Sequence, residues 1–280
     1  MSMVAYYFYQ ENESKYSNIT LRVGLIPNKN AEELIESNSP LLKVISEEVG
    51  INYELIVPNS YKELVEMFYT NDIDMALLGG FSFIKAMAES NASPLVVSDL
   101  DRVNRTYFIA KKERPGETNE VDGDITVESF KGKRLCFGEP MSTSGHLMPR
   151  KFLAEMNLIP ENHYSSVEYS GGHHHSIDWL LNGKADICAV NSDVFYETSH
   201  SDRYLSVVWS SPIFYDHLWA AHENMDRTLF LKIQNAFIGM SHTNHEHSEA
   251  LNKLGVKGYY FADSADYLDI HEAAIELEMM

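Results

Sequence analysis

Only two cysteines, Cys136 and Cys188, stand among 280 residues, so no disulfide framework holds this chain and a hydrophobic core must. Each lies in an apolar, strand-like run (Arg134-Leu-Cys-Phe and Asp186-Ile-Cys-Ala-Val) and reads as a buried, inert thiol. A disulfide between them, or a soft-metal role, stays open. No apolar run approaches the length that crosses a bilayer. The start, Met1-Ser-Met-Val-Ala-Tyr-Tyr-Phe-Tyr-Gln, lacks a basic region, a long apolar segment and a small-residue cleavage site, so it does not read as a signal peptide. A cytosolic protein and a mature domain whose export signal has been removed both fit. Basic residues are few: 22 Lys and Arg against 41 Asp and Glu, a net charge of -19. That balance argues against nucleic acid and anionic membrane as partners. A small anionic ligand is not excluded, because a pocket answers to its local donors while distant carboxylates are screened over roughly 8–10 Å.

What is present is ordinary globular material, 44% hydrophobic and 22% charged, enough for one large core or two moderate ones. Residues 1–18 are aromatic and polar without clear period and read as an arm or a short packing helix. Then a cadence begins. Leu21-Arg-Val-Gly-Leu-Ile reads as a strand, Leu34 to Val49 as a helix stopped at Gly50, and Tyr53-Glu-Leu-Ile-Val as a second strand. Ser60 caps a helix with Tyr61, Leu64, Val65 and Phe68 on one face, and Asp74-Met-Ala-Leu-Leu is a third strand. The cadence restarts after residue 130 with a strand at Gly132–Gly138, a helix from Ser144 to Met156, a strand at Ser166-Val-Glu-Tyr, a helix around Ser176–Leu181 and a strand at Asp186-Ile-Cys-Ala-Val. Alternation of this kind predicts an α/β fold with largely parallel sheets, and the restart predicts two lobes. The polar stretch Lys112–Asp124 reads as a loop within the second lobe. Crossings between lobes are expected near Ser98–Asn104 and Trp209–Leu218, giving lobe 1 as residues 1–100 and 217–280 and lobe 2 as 101–216. Asp74 and Asp186 sit at equivalent helix-to-strand turns, for which ordinary turn chemistry suffices.

Four places carry candidate chemistry. Glu139-Pro-Met-Ser-Thr-Ser-Gly-His puts Ser142, Thr143 and Ser144, then Gly145, between a strand and a helix start. Unpaired helix N–H groups, the positive end of the dipole and three hydroxyl donors make a cradle for a tetrahedral oxyanion; the same residues also read as a plain helix cap. Ser170-Gly-Gly-His-His-His-Ser offers a second helix start, with glycines for close approach and one histidine at its mouth. Three consecutive histidines cannot face one way, so no metal site is expected there. Asn191 and Asp193 follow a strand at its carboxyl end, where α/β proteins bind ligands. Asp193 could accept from a protonated oxygen, pair with an ammonium or cap a helix. Tyr215 and Asp216 lie where the chain returns to the first lobe, where Tyr215 also reads as packing.

These motifs, taken in order with Arg22-Val-Gly-Leu-Ile-Pro and the ending Gly255-Val-Lys-Gly-Tyr-Tyr, resemble the phosphate/phosphite/phosphonate-binding proteins of ABC transporters from about residue 20 onward. The resemblance implies the two-lobed type II periplasmic-binding-protein fold, an interlobe cleft closed by hinge motion, no catalysis and no cofactor. It implies a ligand held by Tyr61, Ser142, Thr143, Ser144, Gly145, His173, Asp193 and Asp216, with the Gly79–Ser82 loop closing over it. It also implies a permease partner, a monomer, and a periplasmic or cell-surface lipoprotein setting. The family often has tyrosine where this chain has Phe83, and an aromatic where it has His146. Two rival readings remain. One is a sensor of an oxyanion or of arsenite that feeds a signalling receptor. The other is a hydrolase using Ser144, His173 and Asp193, although Gly-x-Ser-x-Gly is absent.

Overall fold

The computed structural model describes residues 16–113, 126–198 and 201–280. In chain order they form β1 (Thr20–Leu25), α1 (Ala31–Val49), β2 (Asn52–Ile56), α2 (Tyr61–Tyr69), β3 (Met75–Leu78), α3 (Gly80–Ser90), β4 (Ser93–Ser98), β5 (Thr106–Lys111) and β6 (Arg134–Phe137). A π turn (Thr143–Leu147) then runs into α4 (Met148–Glu155), followed by β7 (Ser166–Tyr169), α5 (His173–Leu181), β8 (Ile187–Asn191) and α6 (Ser192–Glu197). The chain ends with β9 (Leu205–Ser210), β10 (Leu218–Ala221), α7 (Arg227–Gly239), α8 (His245–Leu254), β11 (Tyr259–Phe261) and α9 (Leu268–Glu276). Most of the expected arm at residues 1–18, and most of the expected loop at 112–124, lie outside the described residues.

Two compact units result. The first takes the chain up to Leu78, Lys85–Asp101 and His217–Asp266; the second takes Gly79–Ile84, Arg102–Asp216 and Tyr267–Met280. The expected lobe boundaries put 79–84 and 267–280 with the first lobe. Packing draws them into the second unit: a Cβ on Gly80 would stand 2.5 Å from Ile270 Cδ1, and Phe83 meets Tyr267 edge-on at 5.3 Å.

Each unit is built on one mixed sheet. In the first unit the strand order is β11-β4-β10-β3-β1-β2, and in the second it is β7-β6-β8-β5-β9. The parallel sets β2-β1-β3 and β7-β6-β8 match the sequence cadence. Antiparallel strands interrupt the expected parallel run, β10 beside β3 and β5 beside β8. The two restarted halves also share a clasp. Arg22 places Nε and Nη2 on Asp74 at 3.1 and 2.7 Å, and Arg134 does the same to Asp186 at 2.9 and 2.7 Å. Each aspartate also accepts the arginine's own backbone N–H. These half-exposed bidentate pairs contribute geometry, holding the helix-to-strand turn against the first strand, more than net stability.

In the second unit, alternation buries both faces of the sheet, which is why its strands read as continuous apolar runs. Leu135, Phe137, Ile187 and Ala189 pack on one side with Phe108 and Val208. Cys136, Cys188, Val190 and Ile109 pack on the other with Ile177 and Leu180 of α5. The cysteines are therefore core residues on adjacent strands, in register and as free thiols. In the first unit Trp219, Phe237 and Tyr259 form an aromatic cluster within the core, Phe237 meeting Tyr259 edge-on.

Candidate functional site

The loop from Glu139 to Leu147 connects β6 to α4. The helix expected at Ser144–Met156 does not begin as an α-helix. Its first turn is wound wide, with the Leu147 amide donating to the Ser142 carbonyl at 3.0 Å. Turns of this kind cluster at functional sites. The loop lies back on β6 through Gly138 N–H, which donates to Gly145 C=O at 2.8 Å.

All three hydroxyls are buried, and each accepts from an N–H. Ser142 Oγ caps the turn by accepting from Gly145 N–H at 3.0 Å. Thr143 Oγ1 accepts from Phe81 N–H at 3.0 Å. Ser144 Oγ is met by Asn191 Nδ2 at 3.4 Å. Capping and cradling are thus not alternatives. A hydroxyl whose oxygen has accepted an N–H keeps its own proton to donate, and three such protons come from consecutive residues. Phe81 lies in the first turn of α3, so Gly79–Ser82 is not a free loop but leads into a helix N-terminus meeting the hydroxyls. Two helix starts within this unit bring partial positive charge to Thr143.

The remaining predicted residues divide. His173, at the start of α5, is buried; His174 is half-buried and His175 exposed. His173 Nδ1 accepts the Asn191 backbone N–H at 3.2 Å, so the ring carries its proton on Nε2. The same bond denies the hydrolase arrangement, in which Nδ1–H would be given to Asp193. Gly171 is required by its left-handed backbone, φ +86, whereas a Cβ on Gly172 would meet no protein atom within 4 Å. Asp216 is buried and accepts from Asn191 Nδ2 at 3.2 Å. Asp193 does not cap α6: Asn191 does, its Oδ1 accepting the Asp193 N–H at 2.8 Å. The half-buried Asp193 carboxylate is felt at Tyr107, whose phenol is pushed up to about 12 by burial first, then by its bond to Tyr196 and by nearby charges including Asp193. Tyr215 is packing, taking Arg102 Nε at 3.3 Å and meeting Tyr267 edge-on. Tyr61 belongs to the first unit, where it is buried at the first position of α2 behind the Ser60 cap.

Asn191 is the hub that the motif reading noted but did not select. It touches Ser144, Asp216 and His173, in the last case through its backbone. The available signal was a polar residue ending the apolar run Ile187-Cys-Ala-Val. Thr106 also went unnoticed; its Oγ1 donates to Ser144 C=O at 2.8 Å. Among the described residues no three His, Cys, Asp or Glu side chains converge as metal ligands.

Two titratable groups flank the hydroxyls. Burial pushes Glu139 up to about 7, against the opposing pull of the Met141 N–H that its carboxylate accepts at 2.5 Å. Burial pushes His146 down to about 4. Its Nδ1 lies 2.6 Å from Pro140 C=O and must donate there, while Arg150 Nε and Tyr169 OH both approach Nε2 at 2.8 Å. His146 is therefore a neutral Nδ1–H tautomer tying the loop to α4 and β7.

Comparison with known proteins identifies the family. The family described as ABC transporter, phosphonate, periplasmic substrate-binding protein matches residues 23–267. The chain belongs to that family. It is 25% identical over 268 residues to a probable ABC transporter phosphite binding protein, PhnD1, of Prochlorococcus marinus strain MIT 9301, covering 92% of this chain and 89% of that one. It is 23% identical to the phosphate-import protein PhnD of Mycolicibacterium smegmatis over 78% of this chain and 71% of the relative. The solved structure of Prochlorococcus marinus PhnD1 with methylphosphonate superposes with a TM-score of 0.83, at 23% identity, over 93% of this chain and 99% of that one. The fold is thus the α/β, two-lobed fold of periplasmic binding proteins, and the protein is a solute-binding component of an ABC importer.

Proposed function

We propose that the solute is a small phosphorus oxyanion (phosphonate, phosphite or phosphate), held without chemical change and released to a permease. The observation that carries this reading is the set of three consecutive hydroxyls whose oxygens already accept N–H groups, leaving three O–H donors for one tetrahedral anion. Gly145 allows the backbone to approach. His173 donates through Nε2, and Asp216 accepts from a protonated oxygen or from a ligand ammonium. Asp193 supplies a second acid for ligands that carry an amine. Tyr61 reaches the ligand from the other lobe when the hinge closes. The lobes in this reading are residues 1–100 with 217–280, and 101–216, modified by the packing of 79–84 and 267–280 described above.

The relatives named above are import proteins, so transport is favoured over the sensor reading; Cys136 and Cys188, wholly buried in the sheet, offer a thiophilic ion no surface. Among the described residues no helix is long and apolar enough to cross a membrane. The proposed setting is the periplasm or a cell-surface lipoprotein, with the chain acting as a monomer and its charge of -19 keeping it from nucleic acid.

Thr143→Val preserves shape while removing the O–H. Affinity for the best of methylphosphonate, phosphite and phosphate is expected to fall by about 1–3 kcal/mol in titration calorimetry. Unchanged affinity would contradict the site.

Glu139 supplies a pH test. As pH rises through about 7 its carboxyl gains a charge within the anion-binding loop, and affinity for the same ligand is expected to fall roughly threefold to tenfold. Glu139→Gln is expected to remove that step. Because the ligand's own titration is common to both proteins, the ratio of their affinities isolates Glu139, and a ratio constant from pH 5.5 to 8.5 would exclude the effect.

A further inference from the structure

The side chain of Asn104 is buried, and among the described residues neither its nitrogen nor its oxygen has a hydrogen-bond partner. Buried amides are almost always paired at both ends, so this one calls for a partner beyond the described residues. Its position indicates which. Asn104 forms an antiparallel bridge with Phe214 and accepts the Phe214 N–H at 3.0 Å. Two residues later Thr106 reaches the Ser144 carbonyl. Two residues beyond Phe214, Asp216 accepts from Asn191. Side chains alternate along extended backbone, and directly paired residues share a face. Asn104, Thr106 and Asp216 therefore share the face that carries the hydroxyl loop.

We propose that Asn104 contacts the bound oxyanion and helps to set which anions are accepted. The inference rests on the function proposed above. An amide brings two donors on Nδ2 and an acceptor on Oδ1, so it can donate to an ionised P–O and accept from a P–OH. With the Asp216 carboxylate it places two acceptors beside three hydroxyl donors. That balance suits an oxyanion still carrying one proton near neutral pH, such as a singly protonated phosphonate, phosphite or phosphate. Sulfate is fully ionised there and has no O–H for either acceptor.

The test is titration calorimetry of wild type, Asn104→Leu and Ser142→Ala with methylphosphonate, phosphite, phosphate and sulfate, together with ligand-free melting. Asn104→Leu is expected to melt at or above wild type, because a buried unpaired amide is gone. It is expected to bind the best phosphorus probe about tenfold or more weakly, with a smaller preference over sulfate. Affinity within twofold of wild type, with or without a drop in melting temperature, would make Asn104 a purely structural amide. If Ser142→Ala weakens binding and Asn104→Leu does not, only this inference fails. If Ser142→Ala has no effect, or wild type binds none of the phosphorus probes, the underlying function fails with it.

Discussion

Alanine at position 145 is expected to abolish tight anion binding while leaving the second unit folded. A Cβ there would stand 2.9 Å from Ser142 Oγ, 2.9 Å from His173 Cε1 and 3.3 Å from Gly138 Cα. None of these can yield easily. Ser142 Oγ is held by the Gly145 N–H, the His173 ring by the Asn191 N–H, and Gly138 by its own bond to the Gly145 carbonyl. One methyl group must therefore push the hydroxyl turn off β6 and away from the histidine. Overpacking of this kind costs about 1–3 kcal/mol of stability, which a domain of this size can tolerate. Binding suffers more, because displacing Ser142 and His173 together misaligns two donors aimed at one ligand. Calorimetry with methylphosphonate should show affinity reduced by about a hundredfold or more, on the basis of 1–3 kcal/mol for each misplaced donor. Gly239→Ala, on α7 of the first unit, is the matched control, since its Cβ meets nothing within 4 Å, and it should bind as wild type does. Retained affinity in Gly145→Ala would mean that the turn is not the site.

Stability should fall on acidification through His146, by about 3 kcal/mol in all. The folded value near 4 lies below the ordinary value of 6.5, so the unfolded chain binds the proton more readily. The stabilisation is complete above about pH 6.5 and is lost as pH falls toward 4, at about 1.4 kcal/mol per pH unit. Glu139 works in the opposite sense. Its folded value, about 7, lies above the ordinary 4.5, so its contribution is complete below pH 4.5 and is lost as pH rises through 7. The two windows overlap, and wild type alone would show only their difference. His146→Gln separates them. The variant is expected to be less stable at pH 7.5, because Arg150, Tyr169 and the Pro140 carbonyl lose a partner. Its denaturant midpoint should not decline further between pH 6.5 and 4 in the way that wild type corrected for Glu139→Gln does. Parallel pH profiles for the two proteins would rule out a buried, neutral His146.

Local pattern made much of this molecule legible in advance. Apolar periodicity placed β1, α1, α2, β6 and β8 within a few residues, because a half-buried helix or a doubly buried strand needs that spacing wherever it lies. The hydroxyl run was legible because consecutive donors at a helix start are a local feature. Other features were not. The antiparallel strands β5 and β10 carry the same apolar signature as parallel ones, and only neighbours distant in sequence decide their direction. Asp193 enters through the family resemblance, whereas Asn191 matters through bonds to residues 18, 25 and 47 positions away, which no local motif reveals.

By itself, the sequence determined the types of most elements in residues 20–78 and 132–191, the restarted α/β cadence, the core positions of both cysteines and the candidacy of Ser142–Gly145 as an anion loop. Tertiary structure alone decided that Phe81 and Asn191 occupy the oxygens of Thr143 and Ser144 from 62 and 47 residues away, that His146 is held neutral, and that the Asn104 side-chain amide is buried without a partner among the described residues. The physical reason is that periodicity and capping act within one or two turns of chain. A hydroxyl's role as donor or acceptor, and a histidine's tautomer, are set by whichever groups folding brings within 3.5 Å.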